Sequence, residues 1–100
     1  MTRVAGPWGF ASGEFSRRTM RGAAAALLLE RGIAGLAVDT LSVDVGSSSS
    51  FEVHYQVLGA SKYNVENCIF DEAMPPICSC VVAPLSVKDA PECPARMVAW

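Results

Sequence analysis

Histidine occurs once in this 100-residue chain, at position 54, and charged residues make up only 18% of it. The single imidazole excludes any site built from several histidines of this chain. Basic residues number 8 against 10 acidic ones, for a net charge of −2, and Arg17-Arg18 is the only adjacent basic pair. Without a basic stripe interleaved with aromatics, a surface that tracks phosphates along a nucleic acid is not expected. Long apolar runs are missing as well. The longest, Gly22 to Leu29, stops at Glu30-Arg31, well short of the roughly 20 residues that cross a bilayer, so no membrane partner is expected. Met1 to Gly13 is interrupted by Pro7 and three glycines, which argues against a secretory h-region. Glu14 and the lack of an amphipathic pattern argue against a transit peptide. No internal repeat is present.

Cysteine is present four times, as Cys68, Cys78, Cys80 and Cys93. Zinc modules space paired cysteines by two to four residues and add a second pair or histidines. Cys78-Ser79-Cys80 has neither nearby. Free thiols in a reducing compartment follow, and a cytoplasmic location is the expectation. Against this background the apolar fraction, 51%, is high for one small domain. A chain this short and this apolar is expected to carry exposed apolar surface.

Organisation follows from pattern. Residues 1–18 read as an irregular, glycine-rich segment, and residues 19–100 as the folded part. Thr19 to Arg31 is rich in Ala and Leu and reads as a helix, with Met20, Ala24, Leu27 and Leu28 on one face and Gly32 as its stop. Ile33 to Val38 reads as a buried strand. Asp39 to Asp44 places polar groups at its carboxyl end, and Gly46 to Ser50 forms a surface loop. Phe51 to Leu58 reads as a helix whose Phe51, His54, Tyr55 and Leu58 share a face. Tyr63 to Asn67 reads as a strand with Asn64 and Glu66 on one side. Cys78 to Ala83 and Ala95 to Ala99 are further strands. The order α-β-α-β-β-β predicts an α/β fold, a mixed sheet with flanking helices.

His54 and Glu66 are separated by twelve residues and a glycine turn, which would let both side chains reach one place. Imidazole and carboxylate are suitable zinc ligands. A lone histidine on an apolar face is ordinarily a buried, hydrogen-bonded residue, however, and these two residues alone do not single out a metal site.

A wider pattern adds to this. Gly32 to Asp44, with its Asp39-Thr40-Leu41-Ser42-Val43-Asp44, follows an alanine-rich helix. After it come His54, Leu58-Gly59-Ala60, Tyr63-Asn64-Val65-Glu66-Asn67, Met74-Pro75-Pro76, Val81 to Leu85 and Pro94 to Ala99. In order and spacing, from about Thr19 to Ala99, this resembles the C-terminal half of the cyclase family of metal-dependent hydrolases, which includes the kynurenine formamidases (arylformamidases). The resemblance implies part of that family's swivelling β/β/α-like fold. It also implies zinc or manganese as cofactor, held by residues at the positions of His54 and Glu66. The implied substrate is a small-molecule amide such as N-formylkynurenine, and a homo-oligomer is the expected assembly. Asp39, Ser42 and Asp44 match the family's Asp-Thr-x-Ser-x-Asp. They would orient the ligands from behind, or else serve as capping and turn residues at a strand end. No catalytic residue is assigned.

The family's first-half stretch, His-x-Gly-Thr-His-x-Asp, has no counterpart here. Ile77-Cys78-Ser79-Cys80 also stands where small residues are usual, and Ala90-Pro91-Glu92-Cys93 where a glycine-rich loop is usual. The expectation is therefore a fragment or truncated copy, inactive alone, or a non-catalytic remnant that oligomerises through exposed sheet edges. A thiol or metal module built on Cys78 and Cys80 is the third alternative.

Overall fold

A computed structural model describes residues 20–70 and 73–100. The irregular segment expected over residues 1–18 lies outside the described residues. The elements are α1 (Gly22–Glu30), β1 (Gly35–Ala37), α2 (Glu52–Gly59), β2 (Tyr63–Val65), β3 (Cys80–Pro84) and β4 (Ala95–Ala99). Their order is the one the apolar pattern predicts, and the fold is a small mixed α/β arrangement. Instead of one mixed sheet, the described strands form two separate two-stranded ladders. The chain correspondingly divides into two compact units, with the boundary after Phe70.

In the first unit, β1 and β2 pair in parallel, Gly35 opposite Tyr63 and Ala37 opposite Val65. Parallel neighbours need a crossover, and α2 lies within it. Gly35 leaves room for its partner, because a Cβ there would clash with the edge of the Tyr63 ring. Both strands are only three residues long, but the pairing continues past them. Val38 N–H donates to the Val65 carbonyl at 2.9 Å, Cys68 N–H to Val38 at 3.0 Å and Asn67 N–H to Thr40 at 2.9 Å. These bonds hold the chain leaving β1 against the chain leaving β2. The polar residues after each strand are thus gathered at the carboxyl ends of a parallel pair, where α/β folds place their ligands.

The core of this unit is Ala25 of α1, Val43 of the loop after β1, and Val53 and Val57 of α2, with Met20, Leu36 and Val38 packed against it. The helices therefore present other faces than their apolar patterns predict. In α1, Gly22 and Ala25 are buried, whereas Ala24 and Leu27 are exposed. The close approach of Glu52 explains this, since its carboxylate lies where a Cβ on Gly22 would be. In α2, Val53 and Val57 turn inward, and Phe51, Tyr55 and Leu58 face solvent.

The second unit is a hairpin. Strands β3 and β4 pair antiparallel from Cys80 opposite Ala99 to Pro84 opposite Ala95. Ser79 and Trp100 extend the ladder by exchanging both backbone bonds, at 3.1 and 3.0 Å. None of residues 73–100 is buried. Apolar side chains are left in solvent here, Ile77 at 91% and Trp100 at 69% exposure.

Candidate functional site

The turn after β1 is built by short-range polar contacts. Thr40 Oγ1 donates to the Ser42 carbonyl at 2.8 Å, and Asp44 N–H donates to Ser42 Oγ at 3.1 Å. This local bonding is the ordinary use of Ser and Thr at a strand end. Here it delivers the Asp44 carboxylate to the start of α2. Asp44 Oδ1 accepts the Val53 N–H at 2.8 Å, and Oδ2 accepts the His54 N–H at 3.1 Å. A carboxylate on the free N–H groups of a helix start also meets the favourable end of the helix dipole. By tying these two amides, Asp44 sets the rotation of α2, so that Val53 points to the core and His54 to the strand ends.

The His54 ring then lies between two carboxylates. Nδ1 is 2.6 Å from Asp44 Oδ2, and Nε2 is 3.1 Å from Glu66 Oε1. Glu66, the first residue after β2, is held in place by the Val43 N–H, which donates to the same Oε1 at 2.9 Å. The Asp44 side chain is 5% exposed, whereas His54 and Glu66 are 28% and 26% exposed. The inner carboxylate is sealed and the outer pair is open to solvent. Burial alone would raise the Asp44 carboxyl, but the bonds from Val53 N–H, the His54 ring and His54 N–H outweigh it and hold it below its usual value.

An ionised aspartate only accepts, so Nδ1 carries the proton and Nε2 is left on the side of Glu66. The gap between Nε2 and Oε1 suits one cation, either a ring proton or a metal ion. Two ligands each about 2.0–2.1 Å from a shared tetrahedral zinc lie about 3.3–3.4 Å apart, slightly wider than the 3.1 Å found. A carboxylate behind the far nitrogen of a metal-binding histidine is the usual means of fixing its tautomer and ring plane. An imidazole nitrogen and a carboxylate oxygen are donors of the kind zinc takes, and two are fewer than a zinc site uses. Among the described residues, no group of three or more His, Cys, Asp or Glu side chains is placed to hold a metal ion.

Comparisons with known protein families, with curated proteins and with solved structures give no match to this chain. The site must be read from its geometry and from the pattern of its residues.

Of the five candidate residues, His54, Glu66 and Asp44 meet directly, and Ser42 supports the Asp44 backbone. Asp39 is half-buried and makes no hydrogen bond to this group. Its charge falls instead on Cys68, whose thiol is pushed up by burial and, to a lesser degree, by Asp39. Cys78, Cys80 and Cys93 are free thiols in the second unit, and Cys80 is exposed. Two contributors were not foreseen. The Val43 backbone amide carries no signal in a side-chain pattern. Phe51, whose ring packs against His54, was signalled only as an aromatic three positions earlier on the same helix.

Proposed function

We propose that residues 20–70 carry one half of a metal-dependent amide hydrolase site of the cyclase (kynurenine formamidase-like) type. The observation that supports this reading is the convergence of His54 Nε2 and Glu66 Oε1 at 3.1 Å with Asp44 behind Nδ1 at 2.6 Å. It adds to the ordered pattern of matching residues. When bound, zinc or manganese supplies an acidified water and polarises the amide carbonyl. The chain's own residues do the following. Asp44 retains the Nδ1 proton, so that Nε2 offers its lone pair. Glu66, oriented by Val43 N–H, offers the second donor. A hydrolytic zinc site has three protein ligands beside its water. Two are here, so the rest come from a second segment, in the family the His-x-Gly-Thr-His-x-Asp stretch. The chain alone is expected to bind zinc or manganese weakly and to show no formamidase turnover. Measuring N-formylkynurenine hydrolysis with zinc or manganese tests the second point. A robust rate that disappears in Glu66→Gln would mean that the ligand set is complete without that segment.

The exposed hairpin favours a second reading, self-association, which is compatible with the first. Ile77, Val81, Val98 and Trp100 present apolar surface, and a two-stranded ladder has free edges that accept another strand. A second copy of the chain, whose hairpin offers the same apolar surface and free edges, is the proposed partner. Light scattering at micromolar concentration should show an oligomer, and a stable monomer would remove this reading.

A further inference from the structure

The His54 imidazole has a third neighbour besides its two carboxylates. The Phe51 ring meets it edge-to-face, with centroids 5.9 Å apart and planes at 80°, the arrangement aromatic rings favour. Phe51 reaches this position through a backbone that bulky residues avoid, at φ 49° and ψ 44° in the left-handed region. For such a side chain that conformation is an outlier, and it persists only where the surroundings impose it. The surroundings are visible. Phe51 N–H donates to Ser48 Oγ at 3.3 Å, and Ser48 N–H donates to the Val45 carbonyl at 2.7 Å. On the other side the Phe51 carbonyl accepts the Tyr55 N–H as the first bond of α2. The serine-rich loop thus forces the turn, and the turn delivers the ring to His54. Burial does not account for the strain, because Phe51 remains 50% exposed. Gly or Asn would occupy this conformation at less cost.

We infer that Phe51 is a positioning residue for His54. The Asp44 bond at 2.6 Å anchors the ring at Nδ1, and Glu66 Oε1 lies 3.1 Å from Nε2, contacts to the ring edge that leave its faces open. The Phe51 ring, set edge-to-face against the imidazole, limits the ring's rocking and so keeps Nε2 beside Glu66. A strained backbone at the start of α2 is retained because it supplies this contact.

The test uses Phe51→Asn and Phe51→Tyr in the full chain. Asn accepts the left-handed backbone and is a good helix N-cap, so its melting temperature should stay within a few degrees of the parent. The first readout is metal-free, 13C relaxation of the His54 ring Cε1–H, and it does not depend on the proposed hydrolase reading. Ring order should fall in Phe51→Asn and return in Phe51→Tyr. The second readout, zinc affinity by calorimetry, rests on that reading. It should weaken by about 2- to 10-fold in Phe51→Asn, the size of one aromatic pair, and recover in Phe51→Tyr. Unchanged ring order in Phe51→Asn, or failure of Phe51→Tyr to restore it, overturns the assignment. If the parent binds no zinc while ring order behaves as expected, the hydrolase reading fails and the positioning role stands.

Discussion

Replacing Asp44 by Asn probes the junction on which the unit and its site both depend. The change is nearly isosteric. The amide oxygen can still accept the Val53 N–H, but the NH2 group then faces the His54 backbone N–H, donor against donor, and meets the ring Nδ1 only if the imidazole proton moves to Nε2. The bond now at 3.1 Å is lost, and the one at 2.6 Å is reduced from charged to neutral. The second ties a charged acceptor to the ring in a largely sealed position. A lost helix cap costs about 1 kcal/mol, and a bond to a charged group exceeds a neutral one by about 1–1.5 kcal/mol. Together these predict a loss of about 2 kcal/mol at pH 7, a large part of the stability of a small domain. The pH dependence carries the sharper signature. The folded Asp44 carboxyl lies below its ordinary value of 3.8, so the unfolded chain takes up the proton more readily. Stability from Asp44 is complete above the unfolded value, and it drains as pH falls from there through the lower folded value. Urea melts between pH 2.5 and 7 should therefore show the parent and Asp44→Asn converging below pH 4. Parallel profiles, or equal stability at pH 7, would refute the assignment of Asp44 as an ionised cap.

Three further outcomes follow from single contacts. Gly35→Ala brings a methyl into clash with the edge of the half-exposed Tyr63 ring and should destabilise the first unit by about 1 kcal/mol, the low end of the cost of overpacking, with Tyr63→Ala partly restoring it in the double variant. Cys68 should react last with a thiol reagent, and exposed Cys80 among the first, because the buried thiol is pushed up and the thiolate is the reactive form; mass spectrometry of partly modified protein checks the order. Glu66→Ala leaves the Val43 N–H without its acceptor and should cost about 1–3 kcal/mol in the urea melt even without metal.

Element order was legible because apolar segments alternate with glycine, proline and serine breaks. The buried faces were not. Ala23 to Leu29 is apolar all round, so its periodicity does not choose a side. The choice is made by Glu52 lying over Gly22 and by Val43 filling the space beside Ala25. In α2 Tyr55 and Leu58 are larger than the two valines, yet the cap from Asp44 rotates Val53 and Val57 inward. Pairing was also out of reach, since three-residue strands carry too little alternation to state their partners. At the site, the twelve-residue spacing of His54 and Glu66 was readable because both sit at element ends. Asp44 was readable only as a patterned carboxylate, because its reach to three donors depends on how the Thr40–Ser42 turn folds. Phe51 was readable as sharing a face with His54, but not the backbone that carries it, because no pattern predicts a bulky aromatic in the left-handed region.

Zinc titration by calorimetry, comparing the parent chain with His54→Ala, addresses the central claim most directly. The account predicts weak binding by the parent, as befits two ligands, and its loss in His54→Ala, with Glu66→Gln weakened as well. Tight binding unchanged by His54→Ala would contradict it and move the metal to the cysteines, and no binding by the parent would leave His54 and Glu66 as a structural ion pair.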